Sequence, residues 1–424
     1  MHSRTLKSVT DVAPRTRSET SALTALALAE LGGAVGGIGN IHRAVSDRIF
    51  AGVRRGIGDS ATPVQLAHDG ISGAIYALVA GSAKATGAAA GHLLDLGYEE
   101  RVRPSESPRG TALLGILQGL RGDALEVERS PLATPMSIRV NGRPIAPTAT
   151  DLSDAYPHAS GTIVVFLHGL CETERAWRLG GRPTYGERLA HDLGVTPVEI
   201  RFNTGRHISA NGETLSQLLA ALIATWPVEV ERLALVGHSM GGLVARSACH
   251  RADAAGEYWV RRVHQIVCLG SPHYGAPLER IVHYAGAALN LLPESRPIGR
   301  LLRRRSAGIR DLRGGSLVDE DWHDRDPEAL FTAACREVPL LDGVMHCFVS
   351  AGIVASERNP LGAMLGDGLV LVPSASGRSG SRRIGFRDED GAHLPSANHF
   401  TLLNHDAVYG YLREWLSGPT ILRK

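Results

Sequence analysis

Residues 237–241 read Gly-His-Ser-Met-Gly and form a motif that could do nucleophilic chemistry. The apolar run 233–236 before it predicts a strand, and the pattern from Met240 onward predicts a helix. In that context G-x-S-x-G is typical of a strained turn that raises a serine hydroxyl above a sheet. Ser239 is therefore a candidate nucleophile, and larger side chains at the two glycines should collide with the neighbouring strand and helix. His238 lies too close in the chain to be its base and is interpreted as a structural flank. A glycine-rich turn without chemistry is the alternative.

A serine nucleophile also needs hydrogen-bond donors for the oxyanion that forms on a substrate carbonyl. The apolar, β-branched run 162–167 predicts a buried parallel strand and leads into a His-Gly-Leu-Cys loop. We predict that the backbone N–H groups of Leu170 and Met240 form the oxyanion hole. Gly169 would let this loop approach closely, and His168 is interpreted as a scaffold residue that fixes it.

The acid that orients the base should follow a later strand. A Gly-Asp-Gly turn centred on Asp367 comes after the strand predicted at 344–349, which makes Asp367 the leading candidate. Asp342 precedes that strand, and Asp388 and Asp390 lie in a charged, loop-like stretch, so these three are weaker candidates. A Gly-Asp-Gly turn without function is the alternative interpretation.

The base should lie between the acid and the last helix, which is predicted at 406–416. His399 is on a loop and is followed by apolar residues that can anchor that helix, so we favour it as the base. His405 stands at the predicted start of the helix and is interpreted as a capping or surface residue. His393 is a more distant third candidate. The resulting chain order is serine, aspartate and histidine, as expected when a serine turn of this kind recruits its acid and base from later strands.

Alternating strand and helix patterns must position these residues. Repeated strand–helix–strand units predict a mostly parallel sheet with helices on both faces. Before them, Asn141-Gly142 separates two short alternating runs and predicts a hairpin with a type I′ turn. The predicted strands are 162–167, 198–202, 233–236, 264–269 and 344–349, and the predicted helices are 110–120, 184–193, 213–225, 240–251 and 406–416.

Together these segments resemble the α/β-hydrolase superfamily, in particular its lipase and GPI inositol-deacylase-like branch. The resemblance covers about 60% of the chain, from about 160 to 418, and does not extend to residues 1–130. It implies ester or amide hydrolysis without a cofactor, through an acyl-enzyme on Ser239. The single His-Gly in the oxyanion loop resembles that of lipases, which suggests acyl esters of medium or long chain. The matching stretches are VVFLHGL (164–170), LVGHSMGG (235–242), LGSPHYGAPLE (269–279), GDGLV (366–370) and NHFTLL (398–403).

The chain divides by composition into a flexible N-terminus (1–20), an Ala/Gly-rich helical region (21–130) and an α/β-hydrolase domain (131–424). Within that domain, residues 278–340 are more than one connection needs and predict a cap insertion. An apolar face of the cap would line an acyl-binding cleft, with the arginines of 296–305 near an anionic head group. The alternative is a solvated basic helix that pairs with acidic residues farther along the insertion.

Composition excludes several classes of function. Basic and acidic residues number 45 and 43, so the net charge of +2 predicts no nucleic-acid partner. No apolar run is long enough to span a membrane, although the N-terminal helices or the cap could touch a membrane surface. The five cysteines have neither disulfide-framework nor metal-site spacing, so we expect free thiols, no metal and no other cofactor. No signal peptide is evident, and a cytoplasmic location is the default expectation.

The sequence therefore predicts a serine hydrolase that cleaves a small-molecule or lipid carboxylic ester. An acyltransferase or a thioesterase would use the same residues. A non-catalytic interaction protein with the same fold is the alternative from another class, but it would have no use for a nucleophile, acid, base and oxyanion loop together.

Overall fold

Eight strands form one sheet in the computed structural model, which describes residues 18–29, 43, 47, 51, 103–276, 305–327, 329, 335–354, 366–380 and 382–418. A separate pair of two-residue strands, β8 and β9, forms a small hairpin. The strands are β1 (Ser137–Val140), β2 (Arg143–Ile145), β3 (Thr162–Leu167), β4 (Thr196–Arg201), β5 (Arg232–His238), β6 (Val263–Leu269), β7 (Met345–Gly352), β8 (Arg378–Ser379), β9 (Arg382–Arg383) and β10 (Gly391–Pro395).

The sheet has the order β10-β7-β6-β5-β3-β4-β1-β2. The six strands from β10 to β4 are parallel, and β1 pairs antiparallel with both β4 and β2. Parallel pairing brings the carboxyl ends of six strands to one edge, where open α/β sheets place their ligand sites. The predicted mostly parallel sheet is confirmed.

Helices cover both faces of the sheet. The continuous apolar run of β3 explains this, because alternate side chains of a strand point to opposite faces and both sets are buried. Ile163 packs in the same buried cluster as Leu219, whereas Val164 packs with Leu189 and Leu412 on the other face. The helices are α1 (Pro108–Val127), α2 (Ala149–Ala155), α3 (Tyr185–Leu193), α4 (Ile208–Thr225), α5 (Met240–Ala254), α6 (Ala307–Asp311), α7 (Val372–Ala375) and α8 (Asp406–Ser417).

The predicted elements are present, with two informative differences. The hairpin has positive φ at both Asn141 and Gly142, as a type I′ turn requires. The strand β10 was not predicted, because its five residues include a glycine and a proline and it lies at the sheet edge.

Helix α4 begins at Ile208, earlier than the predicted start at 213. After Ile208, its first turns are built mainly from small and polar residues. A Cβ at Gly212 would lie 2.4 Å from Ser247 Oγ on α5, so these turns pack closely on α5 and show no apolar periodicity that would predict a helix.

Helix α1 packs directly on the loop that follows β3. A Cβ on Gly119 would lie 2.2 Å from Cys171 Sγ, and one on Gly115 would lie 2.9 Å from the Cys171 carbonyl oxygen. The helix was predicted only as residues 110–120 and belongs by composition to the N-terminal region. Most of that region, and residues 277–304 of the predicted cap, lie outside the described residues, so their assignments stay predictions.

Two general expectations can be compared with the described residues. All five cysteines are free, and three of them are buried. Within the part of the chain that the structure describes, no helix combines the length and the apolar character needed to cross a membrane.

A buried ion pair ties the first described residues to the sheet. Arg201, at the end of β4, donates to the Glu174 carboxylate with an Nε–Oε2 distance of 2.6 Å, and both side chains are only 2% exposed. Arg201 also donates to the Ser105 carbonyl at 2.6 Å, and the Ser105 hydroxyl donates to Glu19 at 2.7 Å. Removing one partner of such a pair leaves an uncompensated charge in the interior.

We therefore expect Glu174→Ala to lower the free energy of unfolding by about 3–5 kcal/mol, because Arg201 would stay buried without its carboxylate. Urea denaturation followed by circular dichroism measures this loss. The matched control is Glu213→Ala, which removes an exposed partner of Arg251 and should cost less than about 1 kcal/mol. Equal losses in the two variants would contradict the prediction.

Candidate functional site

Ser239 occupies the sharp turn between β5 and α5. Its backbone has φ 53° and ψ −118°, and its N–H donates to the Leu269 carbonyl at 2.8 Å. A Cβ at Gly237 would lie 2.3 Å from Gly242 N, and one at Gly241 would lie 2.3 Å from the Leu167 oxygen, so the expected clashes are confirmed. The turn puts Ser239 at the carboxyl edge of the sheet and at a helix N-terminus, where negative charge is favoured.

Asp367 and His399 lie together as a buried pair. His399 Nδ1 is 2.7 Å from Asp367 Oδ2, and the two side chains are 4% and 1% exposed. The second carboxylate oxygen accepts from the N–H groups of Leu369, at 2.9 Å, and Val370, at 2.7 Å. The His399 N–H donates to the Asp367 carbonyl at 3.0 Å. These contacts hold Nδ1 of His399 as the protonated nitrogen and turn Nε2 away from the carboxylate.

The His399 ring lies beside the serine turn without a hydrogen bond to Ser239. A Cβ at Gly270, which follows the Leu269 acceptor of the Ser239 N–H, would lie 3.2 Å from His399 Cε1. Within the described residues, no side chain or backbone group forms a hydrogen bond with His399 Nε2. Hydrogen bonds of this kind are often long in unliganded sites and tighten when a substrate binds. Nε2 is therefore available as a proton acceptor.

The loop after β3 lies against the serine. A Cβ at Gly169 would lie 3.0 Å from Ser239 Cβ, so this loop cannot carry a larger residue there. Among the residues that the structure describes, no acceptor is present for the backbone N–H of Leu170 or of Met240. Two unsatisfied N–H groups on the two loops that flank a serine are what an oxyanion hole requires.

His168 fixes this loop as a neutral residue. It is fully buried and stacks on Phe202 with ring centroids 4.3 Å apart. The Phe202 N–H donates to His168 Nε2 at 3.2 Å, so the proton is on Nδ1, which donates to the Gly169 carbonyl at 3.0 Å. Burial lowers the pKa of His168 to about 4, which excludes it as a proton carrier near neutral pH. This agrees with its interpretation as a scaffold residue.

His238, which is buried, and Glu172, which is 10% exposed, form an ion pair that links three parts of the site. His238 Nδ1 is 3.0 Å from Glu172 Oε2, and Nε2 is 3.2 Å from the His399 carbonyl. Both ring nitrogens therefore face acceptors, an arrangement that favours the doubly protonated ring. The same Glu172 oxygen accepts from the Gly169 N–H at 2.7 Å. The pair therefore connects the loop after β3, the serine turn and the backbone of His399.

The electrostatics of this pair agree with its geometry. Burial lowers the pKa of His238, but the Glu172 and Asp367 carboxylates more than offset burial and raise it above the ordinary histidine value. Burial raises the pKa of Glu172, but His238 and the Gly169 N–H more than offset that effect and lower it. Glu172 was not predicted from the sequence. Its position could have indicated a role, because Glu172 lies three residues after Gly169 in the loop that follows β3. A glutamate in such a loop is otherwise expected to be solvated.

The weaker candidates lie elsewhere. Asp342 precedes β7 and so lies toward the amino edge of the sheet, opposite the serine. Asp388 pairs with Arg378 at the surface, and Asp390 accepts from Arg387 Nε at 2.6 Å.

The two other histidines have different partners. His393, on β10, has its Nδ1 3.0 Å from Ser350 Oγ. His405 is the N-cap of α8 and accepts from the Ala407 N–H at 3.2 Å, which confirms its interpretation as a capping residue. Within the described residues, no group of three or more histidine, cysteine or acidic side chains could hold a metal ion.

One family model matches part of the chain. Residues 158–286 match the family model of the PGAP1-like alpha/beta domain. A search of curated proteins gave no match. The segment that matches contains β3 to β6, the loop after β3 and the serine turn.

Solved structures show likeness at low identity. The mature lipase BlEst2 of Bacillus licheniformis is 18% identical with a TM-score of 0.39, and the match covers 60% of this chain and 91% of that one. EstA from Clostridium botulinum is 14% identical with a TM-score of 0.38, covering 68% and 93%. Staphylococcus hyicus lipase is 15% identical with a TM-score of 0.34, covering 61% and 95%. At such identities and scores, these similarities assign no activity to this chain.

The family match and the strand order lead to one assignment. The mostly parallel eight-stranded sheet, with its serine turn after β5 and helices on both faces, agrees with the resemblance found in the sequence motifs. Residues 158–286 match the PGAP1-like alpha/beta domain, and the eight-stranded sheet has the architecture of the α/β-hydrolase fold.

Proposed function

We propose that the chain is a serine hydrolase of carboxylic esters, with Ser239 as nucleophile, His399 as general base and Asp367 as the acid that orients the base. The observation that carries the proposal is the buried Asp367–His399 hydrogen bond of 2.7 Å beside a serine held at positive φ. A purely structural turn needs neither the strained serine nor a buried carboxylate–imidazole pair next to it.

The residues suggest a two-step acyl transfer to water. Ser239 Oγ attacks the ester carbonyl carbon while His399 Nε2 takes the hydroxyl proton, and Asp367 stabilises the imidazolium that forms. The N–H groups of Leu170 and Met240 would donate to the carbonyl oxygen as it becomes an oxyanion. His399 then gives its proton to the leaving alcohol. Water attacks the acyl-enzyme by the same route and releases the acid and the free serine.

The natural substrate that we propose is an acyl ester, including lipid esters. An acyltransferase would pass the acyl group to an alcohol instead of water, and a thioesterase would release a thiol. All three reactions use the same acyl-enzyme, so the test must begin with the serine and then compare leaving groups and acceptors.

The test combines turnover with covalent labelling. We expect the full chain to hydrolyse p-nitrophenyl esters of increasing chain length and to react with a fluorophosphonate probe. Mass spectrometry of a protease digest should locate the phosphonyl group on Ser239. Absence of both turnover and labelling would overturn the proposal, and labelling with turnover only of thioesters or only with an added alcohol would change the reaction class.

Glu172 should act as a positioning residue for this reaction. We expect Glu172→Gln to lower kcat by about 10²–10³-fold, on the scale of losing one oxyanion donor, because the charge that holds the Gly169 loop and His238 is removed. KM should change little, since Glu172 contacts loop backbone and His238 and not a substrate pocket. The control is Glu187→Gln, a partly exposed partner of Arg178, which should retain activity. Equal effects on kcat and KM would argue for general unfolding of the site instead.

The pH profile separates positioning from simple destabilisation. His238 has a raised pKa, so its charged form is present at lower pH and is lost as pH rises through that pKa. Without the Glu172 charge, burial dominates and His238 should lose its proton at lower pH. The alkaline limb of kcat against pH should therefore move to lower pH in Glu172→Gln. An unchanged alkaline limb would contradict this role.

A further inference from the structure

A buried arginine on α5 has no carboxylate partner. Arg246 is 4% exposed, and its guanidinium donates to the Val338 carbonyl at 2.7 Å and to His273 Nδ1 at 3.1 Å. Among the described residues, no aspartate or glutamate pairs with it. Buried charges in proteins are as a rule paired or bound to a ligand of opposite charge. Within the part of the chain that the structure describes, Arg246 is therefore a buried cation without a paired anion.

His273 supplies a second donor without an acceptor. Its Nδ1 must accept from Arg246, because a guanidinium only donates, so the neutral ring carries its proton on Nε2. That Nε2 is buried and has no hydrogen-bond partner in the part of the chain that the structure describes. Burial, Arg246 and His346 lower the pKa of His273 well below its ordinary value, in agreement with the neutral ring. A buried N–H donor without an acceptor is a second, independent sign of a missing acceptor.

Both side chains line one cavity, which we call the Arg246 pocket. It has a volume of about 270 Å³ and lies between the 273–274 turn, residues 314–317, residues 335–339 and the small β8–β9 hairpin. Its described lining includes four arginines (Arg246, Arg336, Arg382 and Arg383) and one carboxylate, that of Glu337, while Arg336 pairs with Glu320 outside the pocket at 3.1 Å. Arg382 Nε donates to that carboxylate at 2.7 Å, so the pocket keeps an excess of positive charge. Ser239, Asp367 and His399 are not among its lining residues.

We propose that the Arg246 pocket binds a phosphate-class oxyanion, either inorganic phosphate or the phosphate of a small phosphomonoester. A guanidinium can pair with two oxygens of such an anion, and Arg382, which also lines the cavity, adds a second cation. The cavity volume accommodates a phosphate with a small organic substituent. The excess of arginine over carboxylate favours a doubly charged anion over a single carboxylate. This site is separate from the proposed ester chemistry and does not depend on it.

Isothermal titration calorimetry on the full chain tests the proposal, with inorganic phosphate in one arm and glycerol 3-phosphate in the other. We expect saturable binding with one site, at constant ionic strength adjusted with sodium chloride. Stronger binding of glycerol 3-phosphate would identify a phosphomonoester as the ligand, and equal binding would identify the free anion. Absence of saturable binding of both probes would overturn the proposal.

Variants locate the site. Arg246→Met should weaken binding at least tenfold, and His273→Phe should weaken it severalfold because Arg246 loses the ring nitrogen that orients it. Arg251→Met is the matched control, since Arg251 lies on the same helix and forms exposed pairs with Glu213 and Asp319. It should bind phosphate as the unmodified chain does.

Arg382→Met tests the pocket independently if Arg246→Met does not fold, and it should weaken phosphate binding severalfold. Unchanged affinity in the Arg382 and His273 variants would place the anion elsewhere and contradict the proposal.

Discussion

Ser239→Ala is expected to lower kcat/KM for p-nitrophenyl esters by about 10⁴-fold or more and to abolish fluorophosphonate labelling. The alanine removes the only atom that can form the acyl-enzyme in the proposed mechanism. The backbone at this position is held at φ 53° by the packing of the flanking glycines, and alanine has the same steric limits there as serine. The fold should therefore be unchanged, and the residual rate should come from binding and the oxyanion donors.

The measurement needs a stability readout beside the rate. Ser153→Ala, on the exposed surface of α2, is the control and should retain full activity and labelling. The unfolding midpoint of Ser239→Ala should match that of the unmodified chain within error. Substantial ester turnover in Ser239→Ala, with the midpoint unchanged, would exclude Ser239 as the nucleophile.

His399→Ala is expected to be the second severe variant, again with a loss of about 10⁴-fold in kcat/KM. The serine would lose its proton acceptor, and Asp367 would be left buried beside a cavity. His405→Ala is the matched control, because it removes a histidine only six residues away that caps α8. It should cost about 1 kcal/mol of stability, as the loss of an N-cap does, and leave activity near that of the unmodified chain.

The two histidine variants thus separate a chemical role from a structural one. Rates should be compared with unfolding free energies from the same preparations. Retained activity in His399→Ala, together with a severe loss in His405→Ala, would reverse the assignment of the base.

The site depends on charge pairs buried behind it as well as on the proposed triad. Glu172 holds the Gly169 loop and His238, and Glu174, two residues farther on, holds Arg201. Helix α1 packs on the same loop through Gly115 and Gly119. One short segment after β3 therefore receives an N-terminal helix on one side and the serine turn on the other. Helix α1, the part of the N-terminal region that packs on this segment, therefore lies beside the proposed oxyanion hole.

The sequence determined the fold and the candidate residues because these depend on local patterns. A continuous apolar run such as β3 specifies a buried parallel strand, and the glycines around Ser239 follow from backbone sterics within a few residues. The Gly-Asp-Gly turn and the two histidines before α8 also stood out from their neighbours, and their chain order limited which residues could meet. Short elements at the edge, such as β10, carried too little pattern to be found.

Only the tertiary structure decided which residues meet. The sequence favoured His399 over His405 only by its position on a loop, whereas the structure shows His399 2.7 Å from Asp367 and His405 capping a helix. Glu172 and Arg246 look like ordinary charged residues, because a charge reveals its role only when its burial and its partners are known. Burial and pairing arise from segments far apart in the chain, such as the loop after β3 with the serine turn, or α5 with the 273–274 turn. Local periodicity holds no information about those distances, so the positioning pair and the Arg246 pocket had to come from the fold.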